Sequence, residues 1–492
     1  MYTLKMLEWA VQVCSPLQGK QYVGVINMQS VIKLDHDVDK PLIQQIVDEI
    51  TQAVAEKRLR AGSRLPSIRA FATAHRVSTF TVVGAYDRLV AQGVVDARRG
   101  MGFFVKEQWS GPIPQSALTV DDSITKGWQV RNVMQSGAGI IQPGAGWLPL
   151  AWHDGEDMAR ALRQIAAKPN ELLGYVDAKG YEPLREQIVR QLAEYEIETK
   201  VSGVMTTLGV NQSLDLIIRH YIKPGDVVVV DEPGYSDLLF ALRLRGIECI
   251  GVQMTATGPD VAQFEEILRT RSPKIFFTNS RLHNPTGASY SAATAFKVLR
   301  AAERYGCLIV EDDVSAGFVQ GTHVTLAAMD QLKRVIYVGS FSKIMGAGLR
   351  VGFVVAQPEV IEGLLYQKLL SGMPPSVTEH LVSKTLAEGR LRKQTERLRK
   401  RLTVAQERVS RRLEEAGFQL FHKPHGGMFV WARPKIGNLD SNELAESGKA
   451  QKILLAPGNL FYAEKIRTSW MRLNVAHCSY DRLFKFLASS IR

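Results

Sequence analysis

Two side chains suited to covalent and proton chemistry follow two short apolar runs in the C-terminal part of the chain. Asp312 lies in the triplet EDD at residues 311–313, directly after the run 308–310. A carboxylate fixed there can pair with a protonated ring nitrogen and keep that ring an electron sink. Lys343 ends the segment GSFSK, which follows the run 335–338. A lysine amine forms a Schiff base with an aldehyde cofactor when its surroundings lower its pKa.

Groups that bind an anion lie close to these residues. Arg350 follows Lys343 by seven residues and, with the hydroxyl groups of Ser340 and Ser342, can clamp a phosphate. The segment TLGVNQ at residues 207–212 opens a predicted helix over 213–220, whose free N–H groups can hold an anion. Each feature alone is common. Together they supply the amine, the ring partner and the phosphate site that one cofactor requires.

The elements that must position these residues are apolar, β-branched runs alternating with helical stretches. The runs lie at residues 227–230, 275–277, 308–310, 335–338 and 353–355. This pattern predicts a mostly parallel sheet covered by helices on both faces. Ligands bind such sheets at the carboxyl ends of the strands, where the residues above lie.

A smaller, basic module precedes this part of the chain. Residues 40–106 hold 11 lysines and arginines against 5 acidic residues, and this net +6 is half of the whole chain's +12. Apolar residues recur at helical spacing after Pro41, a second helix is predicted over 67–75, and Ser78 is a suitable N-cap for a third over 79–92. A hairpin with a basic tip at 98–102 follows. The order predicts a winged helix-turn-helix, with a protein-docking module as the alternative.

The segments PLIQQIVDEI and RLRAGSRLPSIRAFATAHRVSTFTVVGAYDRLVAQGVVDARRGMGFFV resemble the GntR family of regulators along the whole module. The resemblance implies contacts to double-stranded operator DNA, with the helix from Ser78 in the major groove. The residues that it assigns to DNA are Arg64, Ser67, Arg69, Ser78, Thr79, Phe80, Thr81, Arg98 and Arg99. Thr79 and Phe80 stand where many relatives have a basic and an amide residue, and Gly84 stands where they have an arginine. We therefore hypothesise that bases are read by hydroxyl groups and by apolar contact to thymine methyl groups.

Residues 138–492 resemble the fold-type I enzymes that use pyridoxal 5′-phosphate (PLP), the aspartate aminotransferase class. The resemblance makes Lys343 the aldimine lysine and Asp312 the partner of the ring nitrogen. It implies that Asn284 in HNPTG bonds the phenolic oxygen and that Tyr235 in DEPGY stacks on the ring. It implies that the phosphate is bound by Ser340, Ser342, Arg350 and the backbone at Val210 and Asn211. Tyr175 is implied to contact the phosphate of the partner subunit, and Arg472 to bind a substrate or effector carboxylate.

Two positions depart from the pattern of these enzymes. Val314 stands where relatives often have a tyrosine that contacts the phenolic oxygen, and Val210 stands where the phosphate loop usually has a hydroxyl. Each lost hydrogen bond is worth roughly 0.5–1.5 kcal/mol. We therefore expect cofactor binding to be kept and turnover to be the property that changes.

The fusion of a winged helix to an aminotransferase-like domain resembles the MocR/GabR regulators. This resemblance implies a head-to-tail homodimer in which a small amino-bearing effector displaces Lys343 by aldimine exchange and alters DNA binding. We expect a sensor with little or no transaminase turnover. Two alternatives stay open: a catalytically active aminotransferase that carries a DNA-binding domain, and a regulator that senses PLP itself. Arg472 favours an effector with an acidic group, but the sequence does not name it.

The expected architecture is multidomain, with an N-terminal winged helix-turn-helix and a C-terminal α/β fold-type I PLP-dependent transferase. The predicted boundaries are an unassigned extension 1–39, a DNA-binding domain 40–106, a linker 107–137 and the PLP-binding domain 138–492. The sequence has no apolar run of about 18 residues, no secretory signal and no metal-ligand spacing among its four cysteines. We therefore expect a cytoplasmic protein that neither crosses a membrane nor binds a metal.

Overall fold

The computed structural model describes residues 32, 34, 35, 38, 40–106 and 137–491. Within these ranges it does not describe residues 57, 138, 175, 322, 323, 425, 438 and 465. The chain divides into two compact units, Met1–Thr125 and Lys126–Arg492. The unassigned extension 1–39 and the predicted linker 107–137 lie almost entirely outside the described residues.

Within residues 40–106 the chain forms three helices and a hairpin. The helices are α1 (Leu42–Ala55), α2 (Ile68–His75) and α3 (Thr79–Ala91), and the strands are β1 (Val95–Arg98) and β2 (Gly102–Val105). The strands pair antiparallel, with Val95 opposite Val105. The predicted winged helix-turn-helix is confirmed, and the predictions for α2 and α3 are each one residue too long.

Serine caps determine where α2 and α3 begin. Ser67 Oγ accepts the Ala70 N–H at 3.2 Å, and Ser78 Oγ accepts the Thr81 N–H at 3.0 Å. Each cap satisfies a backbone donor that has no partner inside its helix. Arg76 ends α2 in the left-handed conformation, with φ of 56°, which turns the chain into α3.

Buried Tyr86 of α3 joins the helices to the hairpin. Its ring packs edge-on against Phe71 of α2 and Phe103 of β2, with centroids 5.9 and 4.9 Å away. Its hydroxyl group donates to the Pro66 carbonyl oxygen at 3.1 Å, so the one polar atom of this ring is satisfied. The core of this unit thus fixes α3 and the wing relative to each other.

A large sheet forms the centre of the C-terminal unit. Its strands are β3 (Val204–Thr207), β4 (Val227–Glu232), β5 (Glu248–Thr255), β6 (Gly258–Pro259), β7 (Ile275–Thr278), β8 (Leu308–Asp312), β9 (Val335–Ser340) and β10 (Gly352–Val355). They lie in the order β3-β10-β9-β8-β7-β4-β5-β6. The strand pairs from β9 through β5 are parallel. The predicted mostly parallel sheet is therefore confirmed.

Strand β10, predicted from the run 353–355, is antiparallel to both of its neighbours, β3 and β9. Only residues 341–351 join it to β9, and a connection that short favours an antiparallel return over a full crossover. Alternate side chains of β4 belong to separate buried clusters, Val229 to one and Val228 and Val230 to the other. The sheet is thus covered on both faces, as predicted.

The helices of this unit cover the sheet and build a smaller layer. They are α4 (Gly155–Ala166), α5 (Asn170–Leu173), α6 (Glu182–Ala193), α7 (Val210–Tyr221), α8 (Ser236–Leu244), α9 (Val261–Arg271), α10 (Ala292–Tyr305), α11 (Leu326–Asp330), α12 (Ser342–Met345), α13 (Pro358–Ser371), α14 (Ser376–Ala387), α15 (Arg390–Glu415), α16 (Ser441–Ala450) and α17 (Asp481–Ser489). Helix α7 begins at Val210, three residues before its predicted start. No helix in the described part of the chain is both long and apolar enough to span a membrane.

A second, antiparallel sheet belongs to the smaller layer. Its strands are β11 (Phe418–Leu420), β12 (Phe429–Pro434), β13 (Ala456–Pro457) and β14 (Met471–Asn474), in the order β11-β12-β14-β13. The arginine-rich stretch after residue 390 forms the long helix α15, which buries an apolar stripe that includes Leu398, Leu402 and Val409. Arg472 lies on β14 of this sheet.

Candidate cofactor site and DNA-binding surface

A cavity of about 340 Å³ lies at the carboxyl ends of the large sheet's strands. Ten of the residues that the sequence assigns to the cofactor or effector line it: Val210, Asn211, Tyr235, Asn284, Asp312, Ser340, Ser342, Lys343, Arg350 and Arg472. They come from segments more than 250 residues apart along the chain. Tyr175, the eleventh, lies outside the described residues.

Lys343 lies on the short helix α12, just after β9 ends. Its Nζ donates to the Gly146 carbonyl oxygen. The pKa of Lys343 is lowered to about 8. The main cause is burial away from water, and the second is the positive charge of the Arg472 guanidinium. A lysine with this pKa has a larger neutral fraction at neutral pH than an ordinary lysine, and the neutral amine is the nucleophile.

The backbone next to Lys343 is held from two sides. His153 Nδ1 lies 3.1 Å from the Ile344 carbonyl oxygen, and Gln394 Nε2 donates to the same oxygen at 2.8 Å. His153 comes from the segment before α4, and Gln394 comes from α15. Helix α12, and with it Lys343, is thereby fixed to elements outside the large sheet.

Asp312 is the last residue of β8 and is buried. One of its carboxylate oxygens accepts the Val314 N–H at 3.1 Å. Burial raises the pKa of Asp312 to about 7, because the carboxylate is shielded from water and the nearby Asp313 repels it. A cationic ring nitrogen would supply a counter-charge, which is the role that the sequence predicts for this residue.

Asn279 connects Asp312 to Asn284. Its side-chain amide donates to the Asp312 carbonyl oxygen, and its amide oxygen accepts the Asn284 N–H at 2.7 Å. The Asn284 side chain uses its amide oxygen to accept a hydrogen bond from Arg472. Its amide nitrogen is therefore the group with which it would donate to a phenolic oxygen.

A concave group of donors forms one end of the cavity. Gly209, with φ of 92°, leads directly into α7, and a side chain there would lie 2.8 Å from Arg350 Nη2. The Arg350 guanidinium donates to the Leu208 carbonyl oxygen at 2.9 Å. The Ser340 hydroxyl accepts the Ser342 N–H at 3.1 Å. Among the described residues, the buried Ser342 hydroxyl has no hydrogen-bond partner, so this end of the cavity has an unused donor for an anion.

Tyr235 lines the cavity beside this group of donors. Its hydroxyl group donates to Asn211 Oδ1 at 2.8 Å and lies 3.0 Å from Asp237 Oδ2. The Asn211 amide also donates to Asp237, at 3.1 Å. These bonds hold the ring that the sequence predicts to stack on the cofactor.

Arg472 reaches the cavity from β14 and is buried, with 7% of its surface exposed. It donates to Asn284 Oδ1 at 2.9 Å and to the Gly144 carbonyl oxygen at 2.7 Å. The Phe429 and Phe461 rings lie 4.5 and 4.9 Å from its guanidinium carbon. Its Nε has no hydrogen-bond partner in the part of the chain that is described, so Arg472 keeps a donor for an added acidic group.

The predicted DNA-binding residues lie on the surface of the N-terminal unit. Arg64, Ser67, Arg69, Ser78, Thr79, Phe80, Arg98 and Arg99 are exposed, and Thr81 is half-buried. Arg98 lies over the Phe104 ring, with 4.6 Å from its guanidinium carbon to the ring centroid. Two of the predicted contacts, Ser67 and Ser78, also act as the helix caps described above. A Cβ at Gly84 would lie 3.1 Å from Ile43 Cδ1, so a larger residue there presses on α1.

The family of class I and II aminotransferases matches residues 145–489. The chain belongs to this family. Residues 42–105 match the bacterial regulatory proteins of the gntR family. This aminotransferase-family chain thus carries a gntR-type DNA-binding domain, which confirms the predicted MocR/GabR-type combination.

Relatives of this family member include regulatory proteins. The uncharacterized HTH-type transcriptional regulator YdfD of Bacillus subtilis is 27% identical over 464 residues, which cover 90% of this chain and 94% of YdfD. The probable rhizopine catabolism regulatory protein MocR of Rhizobium meliloti is 27% identical over 362 residues, 70% of this chain and 72% of MocR. The solved structure of Pyrococcus horikoshii kynurenine aminotransferase, in complex with PMP, has a TM-score of 0.69 at 28% identity and covers 77% of this chain and 95% of that one.

The protein is accordingly a transcription regulator with an aminotransferase-like domain, and PLP is the cofactor of that domain. The residues present fit this cofactor. The lowered pKa of Lys343 suits an amine that binds an aldehyde, and the Asp312 carboxylate, whose pKa burial raises, suits a cationic ring nitrogen. The unpartnered Ser342 hydroxyl lies in a group of donors that suits a phosphate.

The structure adds residues of this aminotransferase-like domain that the sequence analysis missed. Gly144, Gly146 and Trp147 line the cavity from a loop before α4, Asp237 lines it beside Tyr235, and Phe429 and Phe461 flank Arg472. The segment GAG at 144–146 is the one signal that could have found the loop, since glycines permit close approach of backbone. Val314 and Val210 also line the cavity, at the places where a hydroxyl was expected to be missing.

Proposed function

We propose that this protein is a homodimeric, PLP-dependent regulator that senses an amino compound through exchange of the amine at Lys343. The observation that carries the proposal is one cavity that holds the Lys343 amine, the Asp312 carboxylate and the partly unpartnered Arg472 guanidinium. When bound, PLP supplies an aldehyde carbon that an amine can attack and a ring that withdraws electrons. We also propose the domain boundaries 40–106 and 138–492.

Each residue of the cavity has a separate role in the proposed sensing. Arg350, Ser340, Ser342 and the start of α7 hold a phosphate, and Asp312 holds the ring charge. Lys343 provides the amine that an effector amine replaces. Burial lowers the pKa of Lys343 to about 8, which favours the neutral amine, the form of lysine that can bind an aldehyde.

Arg472 defines the effector class in this proposal. Its buried Nε suits an acidic group whose oxygens accept hydrogen bonds, such as a carboxylate or a sulfonate, and two aromatic rings flank its guanidinium. The acidic group replaces the contacts that Arg472 now makes with Asn284 and Gly144. The effector is thus an amine that carries an acid, and its binding changes the hydrogen bonds of two segments around the cavity.

Exposed apolar side chains support the homodimer. Helix α13 exposes Tyr366, Leu369 and Leu370, the last to 86%, and Leu173 at the end of α5 is 84% exposed. Gln212 near the start of α7 donates to the Gly372 carbonyl oxygen at 2.9 Å, which joins the end of α13 to the phosphate-binding segment. Burying these side chains in a partner subunit is favourable. Sedimentation of the Leu370→Glu variant should show monomers, whereas the Val404→Glu variant on α15 should stay dimeric; a dimeric Leu370→Glu variant would contradict this interface.

A transaminase remains the second candidate, because the cavity holds the amine, the ring partner and the carboxylate-binding arginine together. Val314 favours the regulator, since a hydroxyl toward the phenolic oxygen is missing there. Assay of amino-acid and 2-oxo-acid pairs separates the two: a regulator turns over slowly or not at all.

The test of the proposal combines spectroscopy with DNA binding. The purified protein is titrated with amines that carry an acid, such as γ-aminobutyrate, taurine and α-amino acids, while its visible absorbance and its affinity for its own promoter DNA are followed. We expect one class of amine to change both, and the Lys343→Ala variant to lose both responses. A change of DNA affinity on adding PLP alone, with no response to any amine, would instead indicate a PLP sensor.

A further inference from the structure

The first two turns of α3 present an apolar face to solvent. Phe80 is 83% exposed, and Val83, three residues further along the same side of the helix, is 37% exposed. An aromatic ring this exposed loses the favourable burial that it gains elsewhere in proteins, so it suits a surface that is covered when a partner binds. The helix lies within residues 42–105, which match the gntR family, and the resemblance to that family implies that it enters the major groove of DNA.

The polar groups at this end of α3 are already engaged. The Ser78 hydroxyl accepts the Thr81 N–H at 3.0 Å and lies 2.7 Å from the Thr81 hydroxyl. One turn later Gly84 has no side chain, and a Cβ there would lie 3.1 Å from Ile43 Cδ1. The hydroxyl groups of Ser78 and Thr81 therefore serve the helix cap first, which leaves Thr79 as the free hydroxyl of this turn.

The charged and amide side chains that usually read bases are missing from these turns. Residues 79–86 read TFTVVGAY and contain no lysine, arginine, asparagine or glutamine. The next cation, Arg88, donates to Gln44 of α1 at 3.2 Å. Bidentate hydrogen bonds to guanine or adenine therefore cannot come from this part of the helix.

Thymine is the base that suits the remaining surface. In the major groove its C5 methyl group is the apolar feature that distinguishes it from the other bases. We propose that Phe80, supported by Val83, determines operator specificity by packing on thymine methyl groups. The proposal rests on DNA binding by the winged helix. Exposed Arg64, Arg69 and Arg98 supply contacts to phosphates, which position the helix without reading sequence.

The test removes the methyl groups and nothing else. Full-length protein loaded with PLP selects duplexes from a random pool, and affinity is measured for the enriched duplex and for a copy in which deoxyuridine replaces thymidine. Base pairing and phosphates are the same in both. We expect thymine to be enriched and the wild-type protein to bind the deoxyuridine copy about fourfold more weakly for each methyl group contacted.

Two variants test whether Phe80 is the residue that contacts the methyl groups. Phe80→Ala should bind both duplexes with equal affinity while keeping the salt dependence that phosphate contacts produce. The matched control is Phe296→Ala, which removes an exposed phenylalanine from α10 and should keep the wild-type ratio. The comparison of the two duplexes with wild-type protein needs no variant, so equal affinity for the two would overturn the proposal even if Phe80→Ala fails to fold.

Four results would overturn the proposal. Equal wild-type affinity for the two duplexes would show that no methyl group is read, and an unchanged ratio in Phe80→Ala would place the reading elsewhere. A Phe80→Ala variant that binds both duplexes weakly, with wild-type protein insensitive to deoxyuridine, would indicate that the ring acts as a wedge that reads DNA shape. Failure of the wild-type protein to bind any duplex would instead contradict the DNA-binding function itself, and the proposal with it.

Discussion

At the scale of single residues, the site combines two buried groups whose charges are unfavourable without the cofactor. Burial raises the pKa of Asp312 to about 7 and lowers that of Lys343 to about 8. A phosphate and a protonated ring would compensate these costs. The cavity is thus better suited to PLP-bound protein than to protein without PLP, and the difference is measurable as a function of pH.

We expect the Asp312→Asn variant to gain stability relative to PLP-free wild-type protein as pH rises from about 4 to 7. The folded carboxyl, with its pKa near 7, holds a proton that the unfolded carboxyl, with an ordinary pKa of 3.8, has already lost. The free energy of unfolding of the wild type therefore falls across this window, and asparagine does not titrate. Thermal melts of both PLP-free proteins at pH 5 and pH 7.5 check this. A difference in Tm between variant and wild type that is the same at both pH values would contradict it.

The departure at residue 314 gives a second prediction at this scale. Val314→Tyr restores a hydroxyl toward the expected position of the phenolic oxygen, and the hydrogen bond should tighten retention of PLP by roughly threefold to tenfold. The matched control is Val314→Phe, which adds the ring without the hydroxyl. PLP release during dialysis measures the effect, and equal retention by the two variants would show that the hydroxyl makes no such bond.

At the scale of elements, the backbone beside Lys343 is held by parts of the chain that do not belong to the large sheet. Gln394 of α15 and His153 both contact the Ile344 carbonyl oxygen. A movement of α15 or of the segment before α4 would therefore be transmitted to the lysine. This contact is a physical route by which a change at the cavity can reach the smaller layer.

We expect Gln394→Ala and His153→Ala each to shift the pH at which the visible absorbance of PLP-bound protein changes, with a stability loss of about 1 kcal/mol. The reason is that a looser α12 changes the surroundings of the Lys343 nitrogen. Lys400→Ala, an exposed change on the same helix, serves as the control and should leave the absorbance titration unchanged. An unaltered titration in both alanine variants would show that the Ile344 contacts serve stability alone.

Whether a site residue could be predicted from the sequence depends on the element that carries it. The residues at strand ends, such as Asp312 and Ser340, could be predicted because apolar runs mark buried strands and ligands bind at their carboxyl ends. Phe429 could not, because it enters the cavity from a small sheet whose placement depends on tertiary packing. The loop that holds Gly144 was marked only by its glycines at 144 and 146. The start of α7 was misplaced because Gly209 adopts a positive φ, which local periodicity does not reveal.

At the scale of the whole molecule, the gntR-type domain and the aminotransferase-like domain lie in two compact units, Met1–Thr125 and Lys126–Arg492. A regulator of this kind works only if the effector binds one arrangement of the molecule more tightly than another. In the proposed function, amine exchange at Lys343 would provide such a difference, because it would free a lysine side chain and place an acidic group on Arg472. The proposed function therefore requires that Lys343 carries the cofactor and that an added amine can replace it.

Borohydride trapping followed by peptide mass spectrometry tests this most directly. Hydride reduces the C=N bond between PLP and an amine to a stable C–N bond, which marks the nitrogen that held the cofactor. We predict that wild-type protein carries the pyridoxyl mass on the peptide that contains Lys343, and that prior addition of an effective amine transfers the mass to that amine and leaves Lys343 unmodified. Labelling of a different lysine, or labelling of Lys343 that no amine reduces, would contradict the account.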